Sequence, residues 1–179
     1  MTPTTAASTP RETVAGVGRE HAGEAIGHLY GRLVSLIDLE LTLKHVHWNV
    51  VGADFVSVHE MLDRFTAAAR TMTDAVAERI RVLGGVPRGR PGDVVAARHW
   101  DDYPLDEASS AAHLAALDTA YEGIILDHRR AIAHVATLDP VTEDLLIGQT
   151  GELEKHQWFI RSFSGGVGEP TRAPVNGSR

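Results

Sequence analysis

The feature of this sequence that most constrains its fold is a set of four long stretches in which apolar residues recur every three to four positions. That spacing matches one turn of an α-helix, so each stretch places its apolar residues on one helical face. We therefore predict an all-α chain of four long amphipathic helices, with Leu41, Phe159 and Phe163 among the side chains that face inward. The four stretches cover approximately residues 26–41, 58–83, 106–135 and 140–163.

Glycine, proline and aspartate residues predict where these helices begin and end. Gly52 indicates a turn after the first helix, and Gly84 indicates the C-terminal end of the second. Asp139 is a suitable N-cap for the fourth helix, since it precedes Pro140, and proline is favoured at the first helical position. The turns at Gly52 and Asp139 are short, so the helices on either side of each turn are predicted to be antiparallel.

The middle connection, from Gly84 to Pro104, is about twenty residues long and contains a short helical candidate over 93–98. One long crossover between two helical hairpins is the connectivity of ferritin-like folds. We predict a ferritin-like four-helix bundle over 21–164, with a short extra helix in the crossover between helices 2 and 3. Residues 1–20 and 165–179 are rich in small residues, glycine and proline and are predicted to be mobile tails.

Composition restricts the chemistry that this chain can perform. The absence of cysteine excludes disulfides, iron–sulfur clusters and thiol catalysis, so any metal must be held by nitrogen and oxygen atoms. Seventeen Lys and Arg against twenty-four Asp and Glu give a net charge of −7, which favours cations and disfavours nucleic acid. We find no signal-peptide or membrane-spanning pattern, and we expect a cytoplasmic protein without a membrane partner.

Four candidate metal ligands lie on one face of the second predicted helix. His59 and Asp63 are four residues apart, as are Asp74 and Glu78, and all four fall within an arc of roughly 100° on a helical wheel. Asp63 and Asp74, however, are separated by roughly 16 Å along the helix axis, at 1.5 Å per residue. Since metal–ligand bonds are only about 2 to 2.6 Å long, one helix cannot bind a single ion with both pairs.

Two arrangements are therefore open: two separate sites in each chain, or one site formed by His59 and Asp63 of one chain with Asp74 and Glu78 of another. A two-fold axis near the middle of the helix produces the second arrangement, which we favour. His47, at the end of the first helix, is a candidate third ligand beside His59 and Asp63. Two imidazoles and a carboxylate suit ferrous iron, although zinc or manganese fits the same ligands.

These residues resemble the motifs of a known family, the Dps mini-ferritins. The resemblance covers about residues 24–163 and is carried by H-W-N-V-V-G-x-x-F, H-E-M-x-D and D-x-x-A-E-R, in which all five candidate ligands stand. Further segments agree, among them L-T-L-K-H-V-H-W-N, W-D-D-Y, A-H-L-A-A-L-D and G-E-L-E-K-H-Q-W-F-I-R.

The resemblance implies an iron-storage protein that assembles as a homododecamer with two-fold and three-fold interfaces. It implies a ferroxidase centre at each two-fold interface, where Fe(II) is oxidised to Fe(III), with hydrogen peroxide as the preferred oxidant and DNA protected from oxidative damage. Carried over by residue, the metal ligands are His47, His59 and Asp63 of one chain with Asp74 and Glu78 of its neighbour. Trp48 is expected close by.

The alternative function is a nucleoid-associated DNA-binding protein in which the metal site is secondary. Many members of the family bind DNA through lysine-rich tails, but this chain has only two lysines, Lys44 and Lys155, and both lie in predicted helices. We expect DNA binding to be weak. A third possibility, a helical assembly module without chemistry, does not explain the five ligands.

Overall fold

A computed structural model describes residues 14–164 of the chain, and they form five α-helices and two very short strands. The predicted tails fall largely on residues 1–13 and 165–179, which lie outside the described residues. None of the described helices is long and apolar enough to cross a membrane. The elements are α1 (Arg19–Asn49), β1 (Val50–Val51), α2 (Phe55–Val82), α3 (Pro91–Ala97), β2 (Ala108–Ser109), α4 (Ser110–Val135) and α5 (Pro140–Ser164).

The four long helices form two hairpins that pack together as a bundle. Helix α1 packs mainly on α2, and α4 packs mainly on α5, while α1 also contacts α4. The crossover between the hairpins contains the short helix α3, and its end pairs with the α1–α2 turn, where Val50 and Ala108 are partners in a two-residue parallel ladder. The predicted four-helix bundle with an extra helix in its crossover is confirmed.

The apolar faces of the helices meet in one core, although three residues expected inside it are exposed. Leu41 is 62% exposed because Leu39 and Leu43, two positions away on either side, are the ones that face the core. Phe159 and Phe163, near the end of α5, are also exposed, and the prediction was wrong for all three. Completely buried core residues include Leu29, Leu36, Leu43, Val58, Leu62, Val76, Ile80, Leu117, Tyr121, Leu146, Leu153 and Ile160.

Helix boundaries follow the capping residues. Asp139 is confirmed as the N-cap of α5: its carboxylate accepts hydrogen bonds from the backbone N–H groups of Val141 and Thr142 at 3.3 and 3.2 Å. Helix α4 begins at Ser110, later than the predicted start near Asp106, because the Ser109 hydroxyl caps it by accepting from a backbone N–H. The short helix spans Pro91–Ala97, two residues earlier at its start than predicted, with proline in its first turn.

Candidate metal centre

Three of the predicted metal ligands meet where α1 ends and α2 begins. The antiparallel hairpin brings His47, in the last turn of α1, beside His59 and Asp63 in the first turns of α2. One ligand atom from each of the three residues lies within 4.8 Å of the others. His47 is buried, His59 is half-buried and Asp63 is exposed, so the group opens towards the surface.

The two imidazole rings are held in one orientation by reciprocal hydrogen bonds. The rings stack with centroids 3.5 Å apart, and the Nδ1 atom of His47 lies 3.1 Å from the carbonyl oxygen of His59. The Nδ1 atom of His59 in turn lies 2.9 Å from the carbonyl oxygen of His47. A carbonyl only accepts, so each Nδ1 carries a proton, and in the neutral form of each ring Nε2 keeps the lone pair that can bind a metal.

The Asp63 carboxylate is ionised and already has a cationic partner. Lys44 donates a hydrogen bond to its Oδ1 at 3.0 Å, and the same oxygen lies 3.4 Å from Nδ1 of His47. The hydrogen bond from Lys44 is the main reason why the pKa of Asp63 lies below its usual value; desolvation opposes the effect and the nearby His47 adds to it. A metal ion that binds here must share this carboxylate with Lys44 or displace it.

Asp74 and Glu78, the other two predicted ligands, do not belong to this group. Both are exposed on α2, further along the helix than Asp63. At 1.5 Å per residue, Asp74 lies roughly 16 Å along the axis from Asp63, beyond the reach of any shared ion. Within residues 14–164, a single chain therefore contains one group of three candidate ligands and a separate exposed pair of carboxylates.

Exposed apolar side chains surround the three-ligand group. Trp48 is 69% exposed although it directly follows His47, and Lys44 lies 5.8 Å from the centre of the indole ring. Phe55, also partly exposed, lies with its ring centroid 4.9 Å from that of His59. Large exposed apolar groups next to polar ligands are typical of a surface that another protein chain covers.

The neighbouring histidine, His45, has a structural role and contacts the crossover. Its Nε2 atom lies 2.8 Å from the carbonyl oxygen of Leu105, and its ring packs edge-on against Tyr103 in the crossover.

Sequence reasoning overlooked Lys44 as a partner of the site. The available signal was its position three residues before His47, which places both side chains on one face of α1.

Comparison with known proteins gives separate evidence on the family to which this chain is related. The family model described as "Ferritin-like domain" matches residues 26–166. The chain is 47% identical over 150 residues to the "DNA protection during starvation protein" of Mycolicibacterium smegmatis, covering 84% of this chain and 82% of that protein. Among solved structures, DpsA14 from Streptomyces coelicolor is 54% identical with a TM-score of 0.86, over 88% of this chain and 94% of that one. Mycobacterium smegmatis Dps is 43% identical with the same TM-score, over 96% and 100%.

Proposed function

Because the chain belongs to the Dps family of ferritin-like proteins, we propose that it oxidises Fe(II) at centres shared between two subunits and stores the Fe(III) product inside a closed shell. The observation that carries this proposal is the orientation of His47 and His59, whose Nε2 lone pairs are both left free by hydrogen bonds at Nδ1. With the Asp63 carboxylate they form a two-imidazole, one-carboxylate set, which suits ferrous iron and leaves coordination positions open.

The shared centre follows from the position of the remaining carboxylates. A second subunit, related by a two-fold axis near the middle of α2, places its Asp74 and Glu78 opposite His59 and Asp63. The same contact covers Trp48, which is otherwise largely exposed. Five ligands with three carboxylates then compensate the charge of the bound iron substrate. In the proposed reaction, two Fe(II) ions each give one electron to hydrogen peroxide, which takes up two protons and leaves as two molecules of water.

We propose that protection of DNA follows from removing iron and peroxide, in the cytoplasm, and that direct DNA binding has at most a minor part. Both lysines of the chain are engaged in ion pairs within the described residues: Lys44 with Asp63, and Lys155 with Glu152.

The family resemblance and the need for a second subunit also support a homododecameric shell, in which the two-fold contacts form the centres and three-fold contacts complete the closure.

Complementation between two damaged subunits tests the shared centre. One variant carries His59→Ala with Asp63→Ala, and the other carries Asp74→Ala with Glu78→Ala. Each alone is expected to assemble but to oxidise Fe(II) poorly, because every centre lacks part of its ligand set. When the two are co-expressed with random pairing, half the pairs are mixed and one of the two centres in each is intact, so about a quarter of all centres recover activity.

The measurement is the rate of Fe(II) oxidation by peroxide, followed optically, with light scattering as the check that both variants share one assembly. A mixture as inactive as its parents, despite proven co-assembly, contradicts the shared centre. Parents with undiminished oxidation contradict the ligand assignment, and a wild-type chain that remains monomeric under native conditions contradicts the shell.

A further inference from the structure

A second set of interacting polar side chains joins α4 to α5 inside the bundle. Tyr121 on α4 is completely buried, and its hydroxyl lies 3.4 Å from Nδ1 of His156 on α5. The opposite ring nitrogen of His156, Nε2, lies 3.1 Å from a carboxylate oxygen of Glu152, one turn earlier on the same helix. Tyrosine, imidazole and carboxylate therefore form one continuous chain of contacts, here called the Tyr121 relay.

The position of each proton in the Tyr121 relay follows from its partners. The hydrogen bond from Lys155 lowers the pKa of Glu152, so this carboxylate is ionised and accepts a hydrogen bond from Nε2 of His156. Burial lowers the pKa of His156, so its ring is neutral and its Nδ1 keeps a lone pair. Burial also raises the pKa of Tyr121, so the phenol keeps its proton and donates it towards Nδ1.

Tyr121 and His156 lie in an apolar environment, whereas Glu152 is accessible to solvent. The ring of Phe65 stacks on His156 with centroids 3.9 Å apart and also packs near Tyr121, which keeps water from both groups. Glu152, by contrast, lines an open groove of about 530 Å³ between α2 and α5. A proton that leaves Tyr121 through His156 therefore reaches a carboxylate in contact with solvent.

A second tyrosine–histidine pair in the described residues has no carboxylate paired with its imidazole. The Tyr103 hydroxyl lies 3.0 Å from Nδ1 of His113, closer than the 3.4 Å of the Tyr121 relay, and it also donates to the carbonyl oxygen of His113 at 3.2 Å. No ion pair within residues 14–164 joins His113 to a carboxylate, so this pair has no base beyond its imidazole. Tyr103 is consequently a matched internal control for Tyr121.

We propose that Tyr121 is a redox-active residue that gives one electron to a strong one-electron oxidant of the hydroxyl-radical class while its proton moves to His156 and the Nε2 proton of His156 moves to Glu152. Tyr121 becomes a neutral radical, His156 becomes its other neutral tautomer and Glu152 becomes a neutral acid. The local charge rises by one unit, which matches the electron lost, and the oxidant leaves as hydroxide, which takes the proton back from Glu152 as water.

Such a site is useful to a protein that meets iron and peroxide, because it directs a damaging oxidant to a side chain that is easily restored. One electron from a further Fe(II) ion returns the radical to tyrosine once a proton has come back along the same path. The radical can form and be reduced because a proton moves together with each electron. A buried tyrosine without an acceptor would have to form a cationic radical in an apolar core, which is energetically costly.

The test uses iron-free, full-length assembled protein and photogenerated ruthenium(III) tris-bipyridine as the one-electron oxidant, so its outcome does not depend on the ferroxidase reaction. The tyrosyl radical is followed by transient absorption and electron paramagnetic resonance. Tyr121→Phe is expected to abolish the buried tyrosyl signal, whereas Tyr103→Phe leaves it. Glu152→Gln and His156→Phe are expected to slow its formation about a hundredfold, since a positioned proton acceptor contributes on the order of 10²- to 10⁴-fold.

Glu152→Gln keeps the shape of a partly exposed side chain, so it remains a fair test even if His156→Phe perturbs the core. In heavy water the wild-type rate should fall and the Glu152→Gln rate should change less. The proposal is overturned if Tyr121→Phe leaves the signal unchanged, or if Glu152→Gln forms the radical as fast as the wild type.

Discussion

At the scale of single residues, the candidate metal centre depends on polar contacts that orient or neutralise its proposed ligands. The reciprocal bonds between Nδ1 of one histidine and the carbonyl of the other fix the orientation of both imidazoles. The Asp63 carboxylate is held by Lys44 in the same way. The site is therefore preorganised on its own subunit, and the lysine is the group that an incoming cation must compete with.

Replacing Lys44 with Met should strengthen metal binding to this half of the centre. The apolar part of the side chain is retained, while the cation that occupies Asp63 is lost. The gain should not exceed about fivefold in affinity, because an exposed ion pair is weakened by solvent and contributes little. Titration calorimetry with Zn(II) measures it, with Arg70→Met, which removes an exposed ion pair to Glu40, as the control. Weaker zinc binding in Lys44→Met would show that the lysine supports the site.

A buried histidine outside the site should dominate the response of stability to mild acid. His128 is completely buried between helices, and burial, assisted by the positive charge of Arg32, lowers its pKa to about 4. The unfolded chain takes up this proton near pH 6.5, so the stability due to neutral His128 is complete above pH 6.5. It is lost progressively as the pH falls towards 4.

We expect His128→Gln to flatten the dependence of stability on pH between 6.5 and 4, the window set by the two pKa values, even if the variant is less stable at neutral pH. The wild type should lose up to about 3 kcal/mol there through this residue, at 1.36 kcal/mol per pKa unit. Denaturant unfolding at several pH values measures it, and the exposed His134→Gln serves as the control. Equal slopes for all three proteins would show that His128 is already charged or solvated.

At the scale of elements, the end of α2 shows how backbone geometry directs the chain into the crossover. The N–H of Gly84 bonds to the carbonyl of Arg81, and that of Gly85 bonds to the carbonyl of Ile80, which together form a Schellman motif. Gly84 has φ of +89°, a left-handed conformation that glycine adopts without steric cost. Gly85 follows closely against Ile26, where no side chain fits easily.

Gly84→Ala should therefore destabilise the fold by about 1 kcal/mol, since a side chain in the left-handed region costs about 1–2 kcal/mol. The matched control is Gly92→Ala in the short helix, where φ is negative and an added Cβ meets no atom within 4 Å. That variant should be neutral or slightly stabilised. Urea unfolding of both compares them directly, and equal stability of the two variants would contradict the capping role.

At the scale of the whole molecule, a single subunit exposes two large aromatic side chains. Trp48 beside the metal centre and Trp158 near the end of α5 are 69% and 60% exposed. Both are easily explained if neighbouring subunits cover them in the proposed shell. In the proposed shell every subunit carries the net charge of −7, which favours cations and disfavours a polyanion.

The intact protein should not shift duplex DNA in a gel at physiological salt. A matched variant, Glu12→Lys with Glu169→Lys, changes the charge of each subunit from −7 to −3 through both tails. Displayed in many copies, these tails should bind DNA more strongly than the wild type at low salt, because weak contacts add through multivalency. Tight binding of wild-type protein at physiological salt would favour the nucleoid-associated alternative.

The sequence by itself determined the helical class and the ferritin-like connectivity, and it predicted which residue types could bind a metal. Helical periodicity and caps such as Asp139 depend on residues within a few positions of one another, so they are visible along the chain. The same rule placed Asp63 and Asp74 too far apart on one helix to share an ion. The assignment of all five residues as metal ligands stays a prediction, and so does the partnership of Asp74 and Glu78 with a second subunit, which depends on contacts between chains.

The tertiary structure decided which distant residues meet. Lys44 and Asp63 are 19 residues apart, and Tyr121 and His156 are 35 apart, so their contacts depend on how the helices pack and rotate against each other. The same rotation turned Leu41 outward although it shares its helix with buried leucines. Helical spacing constrains the face on which a side chain lies, but only packing determines what that face touches.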